Sequence, residues 1–140
     1  MISIDTFSSQ LRHAGFRMTK VRLAILKFLI DQHCALSAQD MLALLSKQRL
    51  KPNISTIYRE LQFLTVRDIA QEVVFKDGVI RYELREGAHH HHLVCNACDT
   101  VEPIEMEKHL EAVEKSIHQN QKFRVLSHSL EFYGICAGCH

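Results

Sequence analysis

STIYRELQFLTVRDIAQEVVFKDGVIRYEL, residues 55–84, decides how this chain is read. From Ser55 to Val66 the apolar positions Ile57, Leu61 and Leu64 fall on one side of a helix. Thr56, Tyr58, Arg59 and Gln62 are left on other sides, so the polar side is rich in hydrogen-bond donors. Two β-prone runs follow, Glu72 to Phe75 and Val79 to Leu84, separated by Lys76-Asp77-Gly78. Asp-Gly between such runs signals a hairpin. A donor-rich helix followed directly by a hairpin is the layout of a winged helix-turn-helix, a DNA-reading arrangement.

Upstream, the pattern supplies the remaining helices. Phe7, Leu11 and Ala14 are helically spaced over Thr6 to Ala14, and Gly15 suits the residue after a helix end. Thr19 caps a second helix striped by Val21, Ile25, Phe28 and Leu29. Ser37 with Asp40 reads as a capping box for a third, carrying Met41, Leu42, Leu44 and Leu45, before Lys51-Pro52-Asn53 breaks the chain. Residues 1–84 thus form the expected winged-helix domain.

Arg85-Glu86-Gly87-Ala88 reads as a hinge (85–88), and 89–140 as a second, smaller domain. Its expected order is a strand from His92 to Cys95, a tight turn, a short strand near Val101, a helix and a long strand. The helix covers about Glu105 to Gln119, striped by Met106, Leu110, Val113 and Ile117. The long strand runs from Lys122 to Tyr133, its imperfect alternation leaving room for a bulge near Ser127. Some 55 residues bury too little apolar surface to be comfortable alone, so this domain needs a metal, a partner chain or both.

Composition narrows the classes. With 46% hydrophobic and 24% charged residues the chain is an ordinary water-soluble one, and disorder, collagen and coiled coil are disfavoured. Leu23 to Ile30, the longest apolar stretch, is broken by Lys27 and is far short of the roughly 20 residues a bilayer needs. No secretory signal is visible, so a cytoplasmic protein is expected. The net charge of +1 conceals a polarity: residues 1–83 carry 12 Lys and Arg against 8 Asp and Glu, and 84–140 carry 5 against 8. The basic part suits phosphate; the acidic part, with eight of the ten His, suits cations.

Cys95-Asn-Ala-Cys98 and Cys136-Ala-Gly-Cys139 form two Cys-x-x-Cys units. In a reducing compartment, paired thiols at this spacing point to four thiolates around one structural Zn²⁺. A dithiol redox pair would require a βαβ context that is missing. Apparent binding energies of such sites, about 10–16 kcal/mol, decide whether a domain this small folds. Cys34, the fifth cysteine, reads as a buried apolar residue. The internal run His89-His90-His91-His92 is no terminal tag, and in an extended segment His90 and His92 face one way, His89 and His91 the other.

These stretches resemble the ferric-uptake-regulator (Fur) family of metal-dependent bacterial repressors over nearly the whole chain. The resemblance is carried by Gly15-Phe-Arg-Met-Thr19 with Arg22, Ser37-Ala-Gln-Asp40, Ser55-Thr-Ile-Tyr-Arg59, Tyr82-Glu-Leu84, the His89–Cys95 stretch with Cys98, and His128-Ser-Leu-Glu-Phe-Tyr-Gly134 with Cys136 and Cys139. It implies an α+β architecture, a winged helix followed by a small α/β dimerisation domain with a Cys₄ zinc site. It also implies DNA contacts through Arg17, Thr56, Tyr58 and Arg59. Glu83, His90 and His92 match a regulatory site at the domain junction, filled by Fe²⁺ or Zn²⁺. His89, His91, Glu111 and His128 match an additional site that some members fill. Two positions depart from the pattern. Ala35 stands where many members have His, with His33 and Cys34 just before it. Pro103 stands where an acidic ligand is expected, so Glu102, or Glu105 if an insertion is allowed, substitutes, with Glu102 the choice.

The function implied is a homodimeric, metal-responsive repressor of a palindromic operator, without catalysis, membrane association or a small organic substrate. A peroxide-sensing member is the nearest alternative, although that branch typically has Asp where Glu83 stands. A zinc-dependent hydrolase, activating water at a His-rich site, is the rival from another class, and a zinc-stapled adaptor protein a third reading.

Overall fold

The computed structural model describes residues 3–32, 34–85, 90–106 and 109–140, apart from the side chain of His109. The chain divides into two compact units, Met1–Gly87 and Ala88–His140. Most of the expected hinge, residues 86–88, lies outside the described residues.

In the first unit, α1 (Ile4–His13) starts two residues before Thr6 because Ser3 caps it, its Oγ accepting the Thr6 N–H at 3.3 Å. At its end Gly15 takes φ +83°. The N–H groups of Gly15 and Phe16 reach the carbonyls of Arg12 and Leu11, the double closure of a Schellman motif. Thr19 Oγ1 accepts the Arg22 N–H at the start of α2 (Lys20–Gln32). The capping box forms as expected at α3 (Ala38–Lys47), where Asp40 Oδ2 accepts from the Ser37 N–H at 2.8 Å and Ser37 Oγ accepts from the Asp40 N–H at 3.1 Å. Asn53 caps α4 (Ile54–Val66). The hairpin is β2 (Ala70–Val74) and β3 (Ile80–Leu84), joined through Gly78 at φ +72°. A third strand, β1 (Leu36–Ser37), pairs with β3, giving the antiparallel order β1-β3-β2 of a winged helix. Two residues are too few for a period of two to show in sequence. The ladder to Arg81 and Tyr82 alone makes them a strand.

The core sits among the helices. Phe7 of α1, Ile25 and Leu26 of α2, Met41 and Leu45 of α3, and Ile57, Leu61 and Leu64 of α4 are at most 2% exposed. The expected stripe of α4 is therefore the buried one, and Tyr58 and Arg59 stay outside.

The second unit has a sheet ordered β5-β4-β6. Its centre, β4 (His91–Cys95), is antiparallel to β5 (Val101–Ile104) and parallel to β6 (Glu131–Gly134). The helix α5 (His109–Gln121) begins later than expected, with 105–106 non-helical and 107–108 outside the described residues. The long strand expected from Lys122 is shorter: 122–130 carry no strand, and β6 opens at Glu131. The reason lies in the register, since the first β4–β6 pair is His92 with Glu131 and β4 itself starts at His91, leaving no ladder for earlier residues. Among the described residues, none of α5 is buried, and only Val94, Cys95 and Val101 are buried apolar positions in this unit. No helix among the described residues is long and apolar enough to cross a membrane.

Candidate metal centres and nucleic-acid interface

β4 ends in the turn that delivers Cys95 and Cys98, and β6, parallel to it, ends just before Cys136 and Cys139. The parallel pairing thus carries two distant Cys-x-x-Cys units to one end of the sheet. The four Sγ atoms lie within 4.8 Å of one another, with Cys98 and Cys136 at 3.7 Å. A tetrahedron with Zn–S bonds of about 2.3 Å has edges of about 3.8 Å, so the sulfurs fit that ion with little movement. Backbone N–H groups of Cys136 and Ala97 donate to Cys95 Sγ at 3.3 and 3.4 Å. They favour its thiolate and lower its pKa to about 6. Cys139 is pushed up to about 12, first because hydrogen bonds to the Cys98 and Cys136 sulfurs favour its protonated thiol, with desolvation and repulsion from Cys136 adding to the shift. Cys34 is half-buried against the first unit's core, and burial raises its thiol, with Asp40 and Glu83 adding to the shift.

The β4 ladder also sorts the histidines. His92 shares a face with Val94, and His91 with Leu93 and Cys95. The His90 and His92 rings are 5.0 Å apart, and those of His91 and His128 5.3 Å apart. His89 lies outside the described residues. Glu102 pairs with Leu93, which puts it on the face of His91 rather than that of His92. Pro103 is the residue opposite His92, and Glu105 follows it at the same parity. Glu131, not singled out from sequence, stands beside His92 in the parallel ladder. Only register reveals it.

His128 Nδ1 lies 2.6 Å from Glu114 Oε1, so Glu114 is the carboxylate the fold sets against it. Glu111, one helical turn earlier, is exposed and lines with Glu114 and His118 an open depression of about 310 Å³. The signal for Glu114 was its i+3 spacing from Glu111.

In the first unit Glu83 is buried on β3, and its Oε1 accepts from the Gln71 amide at 2.8 Å across the β2–β3 ladder. At the start of α4 the Asn53 side-chain carbonyl accepts from Ser55 Oγ, Thr56 Oγ1 and the Thr56 N–H, each at 2.8 Å. Arg59 Nη2 donates to Thr56 Oγ1 at 3.3 Å. Tyr58 is 48% exposed, and Arg17 is exposed on the loop between α1 and α2. This part of the surface presents a phenol, two guanidinium groups and a helix N-terminus, the donor types that meet phosphates and base edges.

A winged helix with an exposed donor-rich reading helix, in one chain with a module whose four thiols converge, defines a metal-binding transcription regulator. Residues 13–133 match the Ferric uptake regulator family, and the chain belongs to that family. It is 39% identical to the Ferric uptake regulation protein of Bacillus subtilis (strain 168), over 98% of this chain and 94% of that one. It is 29% identical to the Peroxide-responsive repressor PerR of Staphylococcus aureus (strain Mu50 / ATCC 700699), over 94% of this chain and 87% of that one. Among solved structures, the Vibrio cholerae ferric uptake regulator superposes with a TM-score of 0.78 at 30% identity, covering 91% of this chain and 98% of that chain. The chain is accordingly a metal-responsive transcriptional regulator and not an enzyme. The hydrolase reading falls with that.

Proposed function

We propose that the chain is a cytoplasmic, homodimeric repressor whose affinity for a palindromic operator is switched by Fe²⁺ or Zn²⁺ held by Glu83, His90 and His92. The observation that carries the reading is chemical. The Gln71 amide orients the Glu83 carboxylate, and His90 and His92 bring two imidazoles together. One carboxylate with two imidazoles suits Fe²⁺, Zn²⁺ or Mn²⁺ better than a soft ion. Register favours Glu105 over Glu102 as a further acidic ligand. The Cys₄ cluster holds structural Zn²⁺, and His91 with His128, joined by His89 and by Glu111 or Glu114, forms the additional site. Arg17, Thr56, Tyr58 and Arg59 meet the duplex.

Homodimerisation is supported by the second unit's uncovered apolar side chains: Val113, Phe123, Leu126, Phe132 and Ile135 are 42–82% exposed. Glu83, rather than Asp, favours metal homeostasis over peroxide sensing. The test is duplex affinity as a function of metal. A duplex recovered by the zinc-replete chain from a random-sequence pool is titrated with added Zn²⁺, and separately with Fe²⁺ under anaerobic conditions. Affinity rising at least tenfold with one of them supports the reading, and affinity indifferent to both overturns it.

A further inference from the structure

Arg22, in the first turn of α2, is engaged on three sides. Its Nε donates to Glu60 Oε2 at 2.7 Å and its Nη2 to Glu60 Oε1 at 3.3 Å, a fork onto one carboxylate of α4. Its Nη1 donates to the backbone carbonyl of Arg17. Its Cζ lies 3.7 Å from the Phe63 ring centroid. Arg67 Cζ lies at the same 3.7 Å from that centroid, so the two guanidinium groups fit only on opposite faces of the ring. Phe16, next to Arg17, meets Phe63 edge-on at 5.1 Å and 86°, and Arg67 also covers Phe16 at 4.1 Å. The Arg22 and Glu60 side chains are only 11% and 15% exposed, so the pair is largely withdrawn from water and screened weakly by salt.

Together these contacts join the loop after α1 to α4: Phe16 meets Phe63 and Arg67 directly, and Arg22 of α2 bridges the Arg17 carbonyl to Glu60 and Phe63. Arg17 itself is exposed, and Phe16 on one side and the Arg17 carbonyl on the other fasten its backbone to Glu60, Phe63 and Arg67. We propose that Arg22 is a positioning residue: it locks the loop bearing Arg17 to the reading helix, so that Arg17 and the α4 donors meet a duplex as one preorganised surface. The proposal rests on the reading of Arg17 as a DNA contact. Lysine cannot substitute, since an ammonium neither forks onto Glu60 while reaching the Arg17 carbonyl nor stacks flat on Phe63. Freeing the loop makes its ordering part of the binding event, which lowers affinity by roughly tenfold.

The experiment is a double-mutant cycle on the full, metal-loaded chain, using a duplex that the unaltered chain recovers from a random-sequence pool. Arg22→Lys is expected to weaken binding by roughly tenfold. It should also reduce the slope of log affinity against log salt by about one, as Arg17→Ala does, although the formal charge is unchanged. Added to Arg17→Ala, Arg22→Lys should cost less than about twofold more. A double variant that loses the product of the two single effects overturns the proposal, as does an Arg22→Lys chain that binds like the parent. If Arg17→Ala alone binds like the parent, the reading of Arg17 falls and the proposal with it. Should Arg22→Lys fail to fold, Glu60→Gln loosens the same fork and takes its place in the cycle, with the same losses expected and the same results overturning the proposal.

Discussion

Arg49 ends α3 at φ +60°, where a side chain is strained and glycine is not. Its N–H and that of Leu50 reach the carbonyls of Ser46 and Leu45, so the turn is the one that Gly15 closes after α1, here built without glycine. Arg49 is exposed and is not among the residues proposed to meet the duplex. Arg49→Gly should therefore stabilise the fold by about 0.5–1 kcal/mol, read as a rise in the urea midpoint with an unchanged m-value. An unchanged or lower midpoint would show that the strain is relieved elsewhere. Single residues were legible where their chemistry is local. Ser37 with Asp40, and Asp77 with Gly78, announce a cap and a turn within four positions. The Arg22–Glu60 fork and the Gln71–Glu83 contact, 38 and 12 residues apart in sequence, depend on the packed fold and leave no local trace.

At the scale of elements, amphipathic period was a reliable guide where one face is fully covered, as in α4. It was a poor guide where it is not. The stripe Leu110, Val113 and Ile117 of α5 remains only partly covered, with Val113 50% exposed. Leu126 is 82% exposed in the stretch expected to be strand, so its apolar character marks surface awaiting a partner rather than a core-facing ladder position. Leu126→Asp and Phe123→Asp together should shift the chain toward monomer by at least tenfold in dissociation constant, measured by sedimentation equilibrium with zinc present. A dimer as tight as the parent's would place the interface on another surface. At Glu102 the obstacle is of a different kind: a one-residue change of register moves a side chain to the other face of the sheet, and spacing counted along the chain cannot fix that.

The whole molecule combines a self-sufficient part with a dependent one. The first unit encloses a continuous core from Phe7 to Tyr82, whereas the second buries three apolar side chains among its described residues and holds four thiols in reach of one ion. Folding of the second unit should therefore be linked to metal. Stripping zinc with a strong chelator under reducing conditions should collapse amide dispersion for 90–140 in a two-dimensional NMR spectrum while resonances of 3–85 persist. Retained dispersion in both would show that the thiolate cluster is dispensable for the fold. The division into a DNA-reading and a metal-binding part was legible because charge, histidine and cysteine are segregated along the chain.

The central claim is that Glu83 couples metal occupancy to DNA affinity, and one comparison tests it most directly. Operator affinity of the unaltered chain and of Glu83→Ala is measured across a titration of the corepressor metal, with zinc at the Cys₄ cluster held full. The account predicts that the parent gains affinity with metal while Glu83→Ala stays flat, at unchanged dimerisation and unchanged structural zinc. A Glu83→Ala chain whose affinity still climbs with metal as the parent's does would contradict it.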